Sequence, residues 1–189
     1  MVCIGVIGAM EEEVSSLIQQ MEDAESKTLA GMTFYHGTLW NQQAVVVKSG
    51  VGKVNMAVCT QILVDVYEVD MVINTGVAGG LYKDINVGDI VISSDALQHD
   101  FDVTGLGYER GVIPDLPVSI FQADTEMVEM AKEACEIVNP EIQCFVGRVV
   151  TGDQFISDND KKKELVETFG GYCAEMEGAA MAQGATLNQ

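Results

Sequence analysis

A short apolar segment followed by a glycine-rich loop constrains the fold of this chain most strongly. Residues 69–75 read Val-Asp-Met-Val-Ile-Asn-Thr and run directly into Gly76–Gly80. The apolar run is too short for a membrane helix and is typical of a strand that is buried on both faces of a parallel sheet. Ligands bind at the carboxyl ends of strands in open α/β sheets, so we expect an active cleft where Asn74 leads to Gly76. A tight connection without a ligand is the alternative.

Composition and charge narrow the class of protein. The chain has 189 residues, of which 48% are hydrophobic and 21% are charged, as expected for one globular domain spanning residues 1–189. Ten Lys and Arg against 29 Asp and Glu give a net charge of −19. Nucleic acids and anionic membrane surfaces need clustered cations, so neither is an expected partner.

The cysteines and the N-terminus indicate the cellular compartment in which the protein is expected. Five cysteines form no CxxC pair, which favours free thiols in a reducing compartment. The two histidines lack metal-ligand spacing, so no metal is expected. The apolar N-terminus has no basic region before it, and no apolar run reaches the ~18 residues of a membrane span. The cytoplasm is the expected location.

Strands and helices alternate through most of the chain. The predicted strands are 2–7, 32–40, 43–48, 69–75, 90–93, 143–150 and 171–175, and the predicted helices start at 10, 53, 123, 158 and 176. The second and third strands form a hairpin at Asn41-Gln42. This alternation predicts an α/β fold with a mixed, mainly parallel central sheet flanked by helices. Residues 99–117 form a long irregular stretch of the kind that is usually functional or interfacial.

Three glutamates open the first predicted helix. The apolar stripe of this helix comprises Met10, Val14, Leu17, Ile18 and Met21. At about 100° per residue, Glu12 points away from the stripe, whereas Glu11 and Glu13 flank it. One of these two is therefore a candidate for the rim of a cleft, and the helical wheel does not choose between them. Acidic residues that stabilise the helix dipole are the purely structural reading.

The end of the last predicted strand carries the sharpest combination of residues. Glu175-Met176-Glu177 stands where a buried strand becomes a helix, and a carboxylate there needs partners. A carboxylate can accept hydrogen bonds from both hydroxyls of a vicinal diol such as ribose. Met176 would offer an apolar face beside the sugar, and Phe155, near the end of another strand, could stack on a flat base. Surface glutamates at a helix start are the alternative.

Six collinear motifs resemble those of the 5′-methylthioadenosine/S-adenosylhomocysteine nucleosidases. They are Ile7-Gly-Ala-Met-Glu-Glu-Glu-Val14, Lys48-Ser-Gly-Val-Gly-Lys53, Asn74-Thr-Gly-Val-Ala-Gly-Gly80, Val87-Gly-Asp89, Gly152-Asp-Gln-Phe-Ile156 and Glu175-Met-Glu177. The resemblance runs from residue 2 to about residue 187. It implies a nucleoside phosphorylase-like fold, a homodimer and no cofactor.

The resemblance also implies roles for individual residues. Glu13 matches the carboxylate that activates water, and Glu177 matches the ligand of the ribose hydroxyls, with Met176 against the sugar. Phe155 matches the residue that stacks on adenine, whose edge is read by the backbone of Ile156. The other implied substrate-binding residues are Met10 and Val51, which line the alkylthio pocket, together with Ala78, Gly79 and Glu175. Val103 and Leu106 match a segment that the partner subunit inserts into that pocket.

The chain departs from the family pattern at its C-terminus. The family continues into another buried strand, an aspartate that protonates adenine, and a last helix, whereas this sequence stops at Gln189. We therefore expect an incomplete domain with its last strand and helix missing.

The implied activity is hydrolysis of the N-glycosidic bond of 5′-methylthioadenosine and S-adenosylhomocysteine. Positive charge builds on the ribose as this bond breaks, and a carboxylate stabilises that charge. The alternatives are an impaired, adenine-nucleoside-binding remnant and a nucleoside phosphorylase. Phosphorolysis is disfavoured because the chain has only two arginines, Arg110 and Arg148, to attract phosphate.

Overall fold

The computed structural model describes residues 2–189, which form two compact units. The first comprises residues 2–77 with Gln183–Gln189, and the second comprises Ala78–Ala182. Each unit contains one five-stranded sheet with both parallel and antiparallel neighbours. The predicted α/β class is confirmed, but the strands form two sheets instead of one central sheet. Among residues 2–189, no helix combines the length and the apolar character needed to cross a bilayer.

The first unit is built around three adjacent strand ends. Its elements are β1 (Cys3–Gly8), α1 (Glu11–Gln19), β2 (Glu22–Leu29), β3 (Met32–Leu39), β4 (Gln42–Lys48), α2 (Lys53–Tyr67) and β5 (Met71–Asn74). The strand order is β2-β3-β4-β1-β5, and β1 is parallel to both β4 and β5. The turns that follow β1, β4 and β5 therefore leave the sheet at the same edge.

The predicted apolar stripe of α1 packs against the sheet of this unit. Val14 is fully buried with residues of β3 and β4, and Leu17, Ile18 and Met21 pack against the same cluster. Met10 differs from the prediction, because it stands before the helix and is 40% exposed. Four of the five stripe residues thus anchor α1, and the fifth side chain remains open at the carboxyl end of β1.

Two local differences from the sequence prediction have clear causes. The strand β2 was not predicted, because its sequence Glu-Asp-Ala-Glu-Ser-Lys-Thr-Leu lacks apolar alternation and nearly all of it is exposed. Charged residues are typical of edge strands, which they protect from pairing with other chains. The hairpin turn lies at Trp40-Asn41, one residue earlier than predicted, with φ values of 50° and 64°. Two successive positive φ values are those of a type I′ turn, which matches the twist of a hairpin.

The expectation that β5 is buried on both faces is wrong. Within residues 2–189, β5 pairs only with β1 and lies at the edge of the sheet. Ile73 is 38% exposed, and its neighbours in the strand are only half-buried. The strand β5 is therefore a half-buried edge strand that is held by parallel pairing with β1.

The second unit places two further strand ends side by side. Its elements are β6 (Gly79–Gly80), β7 (Ile90–Gln98), a 3₁₀ turn (Thr104–Leu106), β8 (Phe121–Gln122), α3 (Thr125–Val138), β9 (Cys144–Thr151), α4 (Asn159–Phe169), β10 (Cys173–Glu175) and the start of α5 (Gly178–Asn188). The strand order is β6-β10-β9-β7-β8, and β9 is parallel to β10 with Thr151 opposite Glu175. Leu97, Val150, Leu165, Phe169 and Ala174 form the core behind these strand ends.

Candidate active site

Glu13 is the acidic residue that the first unit holds in place. It lies in the first turn of α1, and its Oε2 accepts the backbone N–H groups of Ala9 at 2.7 Å and Met10 at 2.9 Å. Its Oε1 accepts the N–H of Val77, just after β5, at 3.0 Å. Glu11, by contrast, forms an exposed ion pair with Lys48 at 2.9 Å. Of the two flanking glutamates that the helical wheel left open, Glu13 is the one that backbone N–H groups beside the ends of β1 and β5 hold in place.

Two glycines make room for this carboxylate. A Cβ atom on Gly76 would lie 2.7 Å from Oε1 of Glu13, and one on Gly8 would lie 2.8 Å from the Glu13 Cβ. Both distances are shorter than real Cβ contacts allow. The loop after β5 therefore comes close to a side chain of its own unit, and Gly76 is the residue that permits the approach.

The hydrogen bonds leave Glu13 one position for a further donor. An ionised carboxylate offers about four lone-pair sites on its two oxygens. The N–H groups of Ala9, Met10 and Val77 take three of them, two on Oε2 and one on Oε1. The remaining site is on Oε1, so that atom can accept a hydrogen bond and then a proton from a water molecule.

Met10 and Val51 add apolar surface at the same edge of the first sheet. Met10 directly follows the turn after β1, and Val51 lies in the turn after β4, whose last residue pairs with Gly8. Their exposed fractions are 40% and 49%, which are high for such side chains. Apolar side chains that remain open beside a fixed carboxylate suit a ligand with both polar and apolar parts.

A partly buried hydrogen-bond network organises the Glu175-Met176-Glu177 turn in the second unit. Oε1 of Glu175 accepts the hydroxyl hydrogen of Thr151. Oε2 of Glu175 accepts the N–H groups of Glu177 at 2.8 Å and Gly178 at 2.6 Å. The Thr151 hydroxyl oxygen in turn accepts the N–H of Ala179 at 2.8 Å. Glu175 and Thr151 thus cap the first turn of α5.

Burial and hydrogen bonding oppose each other at Glu175. Burial raises the pKa of its carboxyl group above the ordinary value, and the charge of Glu177 raises it further. The hydrogen bonds from Thr151, Gly178 and Glu177 lower the pKa, but the net shift is upward. The three hydrogen-bond donors therefore stabilise the ionised form of Glu175 against the cost of burial.

Glu177, whose backbone N–H is part of this network, is itself buried. Glu177 is 8% exposed, and Oε2 of its carboxylate accepts the N–H of Met176 at 3.3 Å. Met176 is half-buried beside it. A buried carboxylate with a neighbouring thioether is the arrangement that the sequence led us to expect for a sugar diol.

A groove of about 440 Å³ lies beside the loop after β9. It is lined by Gln154, Phe155, Ile156, Ser157, Asp158 and Lys161. Phe155 is 87% exposed, whereas Ile156 packs against the core of the unit. A Cβ on Gly79 would lie 3.9 Å from the Ile156 carbonyl oxygen, which leaves ordinary space there. Ala78 is exposed and directly precedes β6, which begins at Gly79. The open aromatic face of Phe155 is available for stacking on a flat ring.

Val103 and Leu106 lie in the long irregular stretch and do not join the network around Glu175. Leu106 ends the 3₁₀ turn and is 75% exposed, and Val103 is half-buried.

Thr151 is the residue that sequence reasoning missed. Its position at the end of a predicted strand was visible, but a threonine carries no signal of its hydrogen-bond partners. Within residues 2–189, no cluster of three or more His, Cys, Asp or Glu could hold a metal ion.

Comparison with known proteins gives consistent results. The family model of the phosphorylase superfamily matches residues 3–189. A 5′-methylthioadenosine/S-adenosylhomocysteine nucleosidase of Exiguobacterium sp. is 43% identical over 181 residues, which cover 95% of this chain and 77% of the relative. The corresponding protein of Bacillus cereus is 45% identical, with 95% and 78% covered.

Solved structures of nucleosidases agree with the sequence comparison. The nucleosidase of Colwellia psychrerythraea, in complex with adenine, has a TM-score of 0.93 and 41% identity, covering 98% of this chain and 77% of that one. The enzyme of Neisseria meningitidis, in complex with methylthio-immucillin-A, has a TM-score of 0.94 and 37% identity, with 99% and 80% covered. Sequence and structural likeness extend over nearly the whole chain, and the chain therefore belongs to the 5′-methylthioadenosine/S-adenosylhomocysteine nucleosidase family of the phosphorylase superfamily.

Proposed function

We propose that this protein hydrolyses the N-glycosidic bond of 5′-methylthioadenosine and S-adenosylhomocysteine, releasing adenine and the thioribose product. The observation that carries the proposal is the hydrogen-bonding of Glu13. Three backbone N–H groups fix its carboxylate and leave one lone-pair site on Oε1. A fixed carboxylate with one open site can stabilise the positive charge that develops on the ribose and deprotonate a single attacking water. The water oxygen bonds to C1′ as the C1′–N9 bond breaks, and adenine leaves with a proton on its nitrogen.

The other assignments follow the chemistry of an adenine thionucleoside. Glu177 accepts hydrogen bonds from the 2′- and 3′-hydroxyls, and Met176 contacts the sugar. Phe155 stacks on adenine, and the backbone of Ile156 contacts the edge of the base. Met10 and Val51 contact the alkylthio group. The burial of Glu177 and the exposure of Phe155, Met10 and Val51 support these roles.

Phosphorolysis is the second candidate, because the superfamily is named for it. A phosphorylase needs cations that bind phosphate, and guanidinium groups are well suited to that task. Arg110 forms an ion pair with Glu164, and Arg148 forms one with Asp95 and also donates to the Phe169 carbonyl. Since both arginines are engaged by carboxylates, hydrolysis fits the chain better.

We further propose that the protein is a cytoplasmic homodimer. Leu106 and Tyr108 are exposed by 75% and 42% in the long irregular stretch, and a second subunit would cover them. Its five cysteines are free thiols, as is usual in a reducing compartment.

The test is to supply 5′-methylthioadenosine to the purified chain in phosphate-free buffer and to identify both products. We expect equal amounts of adenine and 5-methylthioribose, with no acceleration by added phosphate. Formation of 5-methylthioribose 1-phosphate would instead show a phosphorylase. Tight binding of the nucleoside without adenine release would show a binding protein that lacks the activity.

A further inference from the structure

We propose that Thr151 and Glu175 act together as positioning residues for Glu177, and this inference rests on the proposed role of Glu177 as the ligand of the ribose hydroxyls. Both residues stand at the ends of neighbouring parallel strands, where Glu175 is paired with Thr151. Neither role depends on a contact with substrate.

The geometry of the first turn of α5 supports the proposal. The first backbone N–H groups of a helix have no partner within the helix and need one from outside. Glu175 accepts the N–H groups of Glu177 and Gly178, and Thr151 accepts that of Ala179. Three consecutive N–H groups, beginning with that of Glu177 itself, are thus fixed to the ends of β9 and β10.

The Thr151 hydroxyl links the two halves of this cap. It accepts a hydrogen bond from Ala179 and donates its own hydrogen to Oε1 of Glu175. The donated hydrogen orients the Glu175 carboxylate, so that Oε2 faces Glu177 and Gly178. The carbonyl of Glu175 also accepts the N–H of Gly152 at 3.1 Å, which fixes the backbone just before Met176.

These contacts give Glu175 a role different from the substrate contact implied by the family resemblance. Both of its oxygens are engaged by donors of the same unit, one by a hydroxyl and the other by two N–H groups. A carboxylate held in this way fixes the backbone from which the Glu177 side chain projects. Removing the link should therefore weaken recognition of the diol and leave recognition of the base unchanged.

The test compares Thr151→Val, which removes the hydroxyl at nearly constant shape, with Thr151→Ser, which keeps it. Affinities are measured by calorimetry for three ligands: the stable 7-deaza analogue of 5′-methylthioadenosine, its 2′,3′-dideoxy form, and adenine. For the wild-type chain we expect a preference for the diol over the dideoxy ligand. Thr151→Val should reduce that preference by about tenfold, the effect of losing a hydrogen bond to a charged group. Thr151→Ser should retain it, and adenine should bind all three proteins equally.

Each other outcome has a definite meaning. If the wild-type chain shows no preference for the diol, the proposed role of Glu177 fails, whatever the Thr151 variants do. If the wild-type chain prefers the diol and Thr151→Val keeps the full preference, the positioning role is wrong. Loss of adenine binding in Thr151→Val also overturns it, because the effect would then be a general collapse of the unit.

Discussion

A Cβ atom on Gly76 would lie 2.7 Å from Oε1 of Glu13. Any larger residue at position 76 would therefore overlap with the carboxylate of Glu13 in α1. The oxygen concerned is the one with the open lone-pair site. It is also the acceptor of the Val77 N–H, one residue after Gly76. The glycine therefore sets the position of the atom to which we assign the proton transfer.

Gly76→Ala should displace Glu13 and lower kcat for adenine release by about 10²-fold, as expected for a misplaced catalytic group. It should also lower the free energy of unfolding by about 1–3 kcal/mol, because the added methyl group is overpacked. Both effects can be measured by an adenine-release assay and by urea denaturation. In a Glu13→Ala background the clash is absent, so Gly76→Ala should then change the unfolding free energy by less than about 0.5 kcal/mol. An equal loss in both backgrounds would contradict the explanation.

Glu13→Gln should lower kcat by about 10²–10⁴-fold, because an amide cannot accept a proton from water. Glu11→Gln and Glu12→Gln are the matched controls, since both residues are exposed in the same helical turn. They should retain wild-type kcat under the same assay. Activity of Glu13→Gln close to that of these controls would remove Glu13 from the mechanism.

Glu177→Gln should weaken binding of the 7-deaza analogue of 5′-methylthioadenosine by about 1.5–3 kcal/mol, the range for hydrogen bonds to a charged group. The 2′,3′-dideoxy ligand should lose little affinity, because it has no hydroxyls to donate. Calorimetry of both ligands measures the difference directly. Glu167→Gln, which changes an exposed carboxylate of α4, is the control. Equal losses for the two ligands would show that Glu177 does not bind the diol.

The sequence predicted those elements whose apolar pattern or glycines have a direct structural meaning. The predicted helix over 53–67 matches α2, and β1, β4 and β5 lie within two residues of the strands predicted over 2–7, 43–48 and 69–75. These elements follow from apolar runs bounded by glycine or polar residues. The acidic edge strand β2 lacked such a pattern, because its side chains are exposed and its stability comes from pairing with β3. The openness of β5 could not be predicted either, since strand composition does not say how many neighbours a strand has.

The residues of the candidate site also divide into those that the sequence predicted and those that it did not. The residues with unusual chemistry at strand ends, Glu13 and Glu177, could be proposed from the sequence. The helical wheel alone did not choose between Glu11 and Glu13, and the family resemblance pointed to Glu13. The hydrogen bonds that hold Glu13 come from the backbone of Ala9, Met10 and Val77, and residue type alone does not reveal them. The link between Thr151 and Glu175 joins residues 24 positions apart, and only the register of β9 with β10 brings them together.

Leu106→Asp should shift the proposed dimer towards monomers at micromolar concentration. A charge at a buried apolar contact is unfavourable, whereas the same change at a solvent-exposed position has little effect. Sedimentation velocity gives the mass of the species present. Val87→Asp is a matched control, because Val87 is fully exposed in a turn of the same unit. A wild-type chain that sediments as a monomer would contradict the proposed dimer, and a Leu106→Asp variant that remains a dimer would place the interface elsewhere.

The cysteines should differ sharply in their reaction with iodoacetamide. The thiolate is the reactive form, so a raised pKa slows alkylation. Burial raises the pKa of Cys59 to about 12 and that of Cys173 to about 12, with the charge of Glu175 adding to the shift at Cys173. At pH 8 the thiolate fraction of such a group is ~10⁻⁴, against roughly a quarter for an ordinary cysteine. Cys135 is partly exposed on α3. In the folded chain, mass spectrometry should show Cys135 alkylated well before Cys59 and Cys173, and all five cysteines should react alike in urea. Early labelling of Cys173 in the folded protein would mean that the end of β10, and with it the network around Glu175, opens to solvent far more readily than its burial indicates.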